Sequence, residues 1–104
     1  MTIQERAARA MELKAGCNCA QAVALAFADL LPLDEQTLMK LAAGYGAGMG
    51  CMEATCGALV GAVMAAGLLT DGQGTARCAK TILADFKQRC GATVCKDLKG
   101  VETG

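Results

Sequence analysis

Apolar and polar positions along this chain recur at the spacing of helices. Thr2-Ile3-Gln4-Glu5 has the form of a capping box, Thr2 capping and Glu5 reaching back. Ala7, Ala10, Met11 and Ala15 then follow at helical intervals, which predicts a helix to about Lys14 with Gly16 in the left-handed position after it. Asn18 suits the cap of a second helix over about Cys19 to Leu30. Its apolar set, Cys19, Ala22, Val23, Ala26 and Leu30, keeps one face, and Pro32 ends it. Asp34 caps a third helix over Glu35 to Ala43, turning Leu38, Leu41 and Ala42 inward.

A glycine stretch, GYGAGMG at 44–50, comes next. The fourth helix starts at Thr55 or Cys56 and runs to Leu69. It is apolar all round, which predicts the central, buried helix. Gly57 and Gly61, with Ala58, Ala62 and Ala65, give it a thin surface that neighbouring helices can approach closely. Asp71-Gly72-Gln73-Gly74 is a turn, and Thr75 caps a fifth helix to Cys90. Ala79, Ile82, Leu83, Phe86 and Cys90 share its stripe, and Gly91 ends it. Thr93 caps a short sixth helix through Leu98, and the tail VETG is expected to fray. There is no period-two pattern, repeat or Ser/Pro-rich linker. The expectation is all-α: one domain over 1–104, a compact bundle of five to six short helices with a glycine-rich loop before the central one.

Composition narrows the function classes. With 54% hydrophobic and 19% charged residues, disorder is excluded. Ten basic residues balance ten acidic ones, so neither a nucleic-acid footprint nor an acidic tail is present. The aromatics are Tyr45, Phe27 and Phe86, too few for base-stacking platforms. The N-terminus is charged from the fifth residue and does not read as a signal peptide. The longest apolar run, Cys56 to Thr70, falls short of the ~20 residues of a membrane span. The expectation is a cytoplasmic protein with no membrane and no nucleic-acid partner.

Seven cysteines in a reducing compartment point to metal binding or redox chemistry more than to a disulfide framework. Histidine is absent, which excludes Cys–His catalysis, Cys2His2 zinc and His-ligated haem within one chain. No CxxC occurs, so a thioredoxin-type dithiol is missing too. What remains is CNC at 17–19, too tight for an easy disulfide, and CMEATC at 51–56. All-thiolate ligation suits an iron–sulfur cluster or zinc. Cys19, Cys56 and Cys95 fall at or near helix starts, where free N–H groups and the helix dipole stabilise a thiolate. Gly46, Gly48, Gly50 and Gly57 can present backbone N–H groups to such an anionic centre, or can simply permit tight packing. Their spacing is not GxGxxG and no GK[ST] follows, so a nucleotide loop is unsupported. Met49, Met52 and Met64 flank the region. Copper(I) ligation by thioether is one use for them, and core packing is the commoner one.

GCNCAQAV (16–23), GYGAGMG (44–50), CGALVG (56–61) and GATVCKDL (91–98) together resemble the redox-active family called C_GCAxxG_C_C. Residues 56–61 match its CGAxxG motif in full, and the likeness spans about residues 5 to 99. The resemblance implies a helical fold, a redox role and Cys19, Cys56 and Cys95 as the functional cysteines. Related domains occur beside redox modules, including a split-Soret type cytochrome, which implies electron transfer. Family members carry a further cysteine beyond the CxxL segment, and none follows Cys95 here. Cys51, Cys17, Cys90 or a second chain would then complete the set, with Cys78 the weakest candidate.

Three functions are expected in turn. The first is an iron–sulfur electron carrier using Cys19, Cys56 and Cys95 with Cys51, Cys17 or Cys90. The second is a metal-free thiol–disulfide protein in which Cys56 attacks and Cys19 or Cys95 resolves. The third is a zinc-stabilised assembly module that forms a homodimer through the small-residue face of the fourth helix.

Overall fold

A computed structural model describes residues 2–99. Within them the chain forms α1 (Ile3–Lys14), α2 (Cys19–Ala26), α3 (Glu35–Ala42), α4 (Gly57–Leu69), α5 (Thr75–Cys90) and α6 (Cys95–Lys99). A single antiparallel bridge, Thr55 to Val94, is the extended pairing among the described residues. The all-α expectation holds. The radius of gyration is 13.1 Å, close to the ~13 Å of a compact domain of this size. The tail, residues 101–104, lies outside the described residues.

Local chemistry sets most of the helix ends. Thr2 accepts from the Glu5 N–H at 3.0 Å, and Glu5 accepts from the Thr2 N–H at 2.8 Å, closing the expected box. Asp34 accepts from the Thr37 N–H at 2.7 Å to start α3. Gly91 ends α5 at a φ of 88°, the left-handed position glycine suits. Gly16 does not repeat this at α1, whose last turn closes with ordinary backbone at Ala15. There the Leu13 carbonyl accepts from the Gly16 and Cys17 N–H groups at 3.0 and 3.1 Å, and the Cys17 thiol donates to the same oxygen at 3.1 Å.

α2 stops four residues before the expected end. Arg6 of α1 donates to the Ala26 carbonyl at 2.9 Å and grips the Asp29 carboxylate at 2.6 and 3.0 Å. The chain tightens there into a 3₁₀ turn, Ala28–Leu30. The Arg6 guanidinium also stacks 5.2 Å over the Phe27 ring, so one side chain ties α1 to the C-terminal end of α2.

The packing corrects which helix is central. α2 is the hub, with α1, α3 and α4 against it, and Ala20, Ala22, Ala24, Leu25 and Ala26 are buried. α4 is half-covered. Leu59, Gly61, Ala65 and Ala66 face inward, while Val60, Val63 and Met64 keep part of their surface in solvent. The uniform apolarity of α4 carries no directional signal; its small residues do, and of the expected thin face Gly57, Gly61 and Ala65 are buried while Ala58 and Ala62 are half-buried. Gly57 and Gly61 do allow close approach. A Cβ on Gly61 would lie 2.8 Å from the Ala20 carbonyl, and one on Gly57 would lie 2.9 Å from the Tyr45 carbonyl.

The stripes expected on the outer helices are only partly covered. α1 turns Arg6, Ala10 and Leu13 inward, leaving Ala7, Met11 and Ala15 exposed. On α3, Leu38 and Ala42 are buried but Leu41 is exposed. On α5, Ala79, Ile82 and Phe86 are half-buried, whereas Leu83 and Cys90 are exposed. Each outer helix leans on one or two neighbours, so only a narrow stripe loses water. No described helix is long and apolar enough to cross a membrane.

The exposed carboxylate contacts set an acid dependence. The Arg6 guanidinium holds the Asp29 carboxyl below the ordinary aspartate range, and the Thr37 N–H does the same for Asp34. A depressed folded pKa gives stability that is complete above the unfolded value and is lost as the group protonates. Thermal unfolding is therefore expected to be flat from neutral pH to about 5 and to fall below about 4. Asp29→Asn should lower the neutral-pH midpoint and shrink the drop, and an unchanged drop would remove Asp29 from the account.

Candidate functional site

The first turn of α2 carries Cys19 and is anchored by its neighbours. Asn18 accepts from the Gln21 N–H at 2.8 Å, and Gln21 accepts from the Asn18 N–H at 3.0 Å. The remaining amide groups reach across to α3. Asn18 Nδ2 donates to the Ala43 carbonyl at 3.0 Å and Gln21 Nε2 to the Met39 carbonyl at 2.9 Å. Two side chains thus satisfy donors at the start of α2 and acceptors near the end of α3 together.

The first turn of α4 abuts that same turn. A Cβ on Gly57 would stand 3.2 Å from the Ala20 nitrogen and 3.4 Å from Cys19 Cβ. Cys56, the residue before, is the N-cap of α4 and is half-buried. Its N–H donates to the Thr93 carbonyl at 2.7 Å, and the Cys95 N–H donates to the Ala54 carbonyl at 3.0 Å. These bonds flank the Thr55–Val94 bridge. Cys56 and Cys95 therefore occupy diagonal positions that share one face in a regular antiparallel ladder.

Cys95 starts α6 and is buried, 3% exposed. It packs beneath the loop that the sequence marked by its glycines. That loop is a wide turn, Gly48–Met52, in which Gly48, Met49, Gly50 and Met52 have positive φ, as does Ala47 just before it. Gly48 sits so close to Cys95 that a Cβ would meet Cys95 Cβ at 2.7 Å. The Cys95 thiol lies 3.6 Å from the Met52 thioether sulfur.

The three cysteines singled out by helix starts thus approach one end of the bundle, from α2, α4 and α6. Cys19 and Cys56 are joined through Gly57, and Cys56 and Cys95 through the bridge. Among the described residues, however, no three Cys, Asp or Glu side chains are grouped as a metal ion requires. The donor set has the right chemistry for a thiolate-ligated group, but the thiols share a corner without surrounding one point.

The other cysteines stand apart in kind. Cys17 caps the end of α1. Cys51 is exposed on the wide turn, its thiol 3.4 Å from the Gly48 carbonyl. Cys78 and Cys90 are exposed on α5, so Cys90 does not lie in a core stripe as its spacing implied. Of the glycines expected to line a cofactor, Gly46, Gly48 and Gly57 have close-packing roles, against Asn18, Cys95 and the Tyr45 carbonyl respectively. Gly50 has open space around it at a φ of +80°. Cys19 also lines a shallow apolar groove with Ala10, Met11, Ala22, Val23 and Ala58, whose charged wall residue is Lys14.

The positioning residues were the harder ones to find in sequence. Gln21 stands at the capping-box spacing from Asn18 and was legible in principle. The contact of Met52 with Cys95 spans 43 residues and has no local signature.

Fold and site together define a small helical protein with three cysteines at the neighbouring starts of three helices. The chain belongs to the family described as "Putative redox-active protein (C_GCAxxG_C_C)", which it matches over residues 17–104. The match begins after α1, later than the expected start near residue 5. No curated protein and no solved structure matches the chain.

Proposed function

We propose that this chain is an electron carrier whose redox centre is an iron–sulfur cluster held by the thiolates of Cys19, Cys56 and Cys95. The observation that supports it is the convergence of these three residues, from three separate helices, on one corner of the bundle. The redox description of the family agrees with it. Cys51, exposed on the adjoining turn, is the best-placed additional thiol in this reading. The cluster would supply one-electron transfer when bound, and the protein would hold it and shield it with the apolar ends of α2 and α4.

A second reading, thiol–disulfide exchange, draws on the diagonal placement of Cys56 and Cys95 across the bridge. Two thiols would join as a disulfide, passing two electrons and two protons to an acceptor disulfide, whose S–S bond breaks to give two thiols.

Anaerobic purification separates them. The cluster reading expects a brown protein with iron and acid-labile sulfide in equal amounts, both lost in Cys56→Ser and retained in Cys78→Ser. Colourless protein that reconstitution with iron and sulfide leaves colourless would sink it. Mass spectrometry after mild oxidation would then be expected to find one defined Cys56–Cys95 or Cys19–Cys56 disulfide.

A further inference from the structure

We infer that Met52 and Cys95 form a binding site for a soft monovalent cation, copper(I), with Cys51 as an adjoining third donor. The inference takes from the proposed function only that Cys95 is a metal-binding thiol. It stands on a separate observation, the sulfur–sulfur contact. Cys95 Sγ lies 3.6 Å from Met52 Sδ, and the cysteine is almost wholly removed from water. A thioether is a weak acceptor for a thiol proton, so a buried thiol gains little by choosing it as partner. As a pair of metal donors the same two groups match one kind of ion. Thiolate and thioether together prefer copper(I), whereas zinc and hard divalent ions favour donor sets without a thioether.

The loop around the pair adds to the case. Met49, Cys51 and Met52 bring three sulfur atoms into four consecutive residues. Cys51 is exposed, so a third soft donor stands on the solvent side of a loop whose inner side is Cys95. The loop has neither histidine nor aspartate, and its acid, Glu53, is exposed. Binding would replace the Cys95 proton. Copper(I) and the thiol give a copper–thiolate and one proton released to solvent, with no change of oxidation state.

Copper(I) titration of the reduced, metal-free full-length protein against a chromogenic copper(I) chelator, without oxygen, tests this. Wild type is expected to hold one copper(I) per chain. Met52→Leu, which keeps the side-chain volume but removes the thioether, should bind at least about tenfold more weakly, the scale of one lost ligand interaction. Cys95→Ser should lose the site, and Cys78→Ser should match wild type. Equal affinity in Met52→Leu and wild type, or no copper(I) retained by wild type, overturns the inference. Selenomethionine-labelled wild type loaded with copper(I) guards against a misfolded variant. X-ray absorption should show a copper–selenium path, and its absence is equally fatal. Iron and sulfide contents are read in parallel. Copper(I) failing while iron loads normally overturns only this site, and iron failing while copper(I) binds overturns only the cluster.

Discussion

Leu59→Ala is expected to lower stability by about 2–5 kcal/mol, the range for a truncated, buried leucine. Leu59 is 1% exposed and is one of two large side chains that are fully buried among the described residues, the other being Leu38. The rest of the core is mostly alanine, which cannot swing inward to refill the space. The cavity should therefore persist, placing the cost in the upper half of that range. A domain of this size commonly has only about 5–15 kcal/mol in hand. The urea midpoint should fall sharply, and the thermal midpoint should drop by roughly 4–8 °C for each kcal/mol lost. A loss below about 1 kcal/mol would mean that neighbouring helices close the gap, contrary to the alanine-rich packing.

The second large effect falls on the α2–α4 contact. Gly61→Ala places a Cβ 2.8 Å from the Ala20 carbonyl and 3.2 Å from Val23 Cβ. Gly57→Ala places one 2.9 Å from the Tyr45 carbonyl. Both obstacles are backbone, so relief requires whole elements to move. Alanine gains up to about 1 kcal/mol of helix propensity over glycine, but overpacking costs about 1–3 kcal/mol at each site. The double variant should be destabilised by several kcal/mol. Because Gly57 packs against Cys19 and follows Cys56, the proposed function further expects this variant to lose iron or cysteine pairing. Gly67→Ala supplies the contrast. Its Cβ would meet only Thr75 Cγ2, at an ordinary 3.8 Å, so propensity should win and stability should rise slightly. Equal responses at Gly61 and Gly67, measured by urea unfolding, would show that close approach is not what Gly61 provides.

The same small residues bring the helix starts that carry the cysteines close together. Gly57, the residue after Cys56, packs against Cys19 because nothing larger than hydrogen stands between α4 and the first turn of α2 there. Cys95 reaches the wide turn because Gly48 leaves room at a φ of +58°. A side chain at either position would push a thiol out of the corner before any ligand could use it.

The amino-acid sequence by itself determined the helices, their caps at Thr2, Asn18, Asp34 and Gly91, and the three cysteines at helix starts. Those are local matters of backbone hydrogen bonding and 3.6-residue periodicity, written within a few residues. The tertiary structure alone decided that α2 rather than α4 is the hub, that Cys90 stays in solvent, and that Met52 covers Cys95. Uniform apolarity does not rank one helix above another, so only competition among all neighbours selects the hub. A contact between residues 43 positions apart exists only once the helices between them have packed.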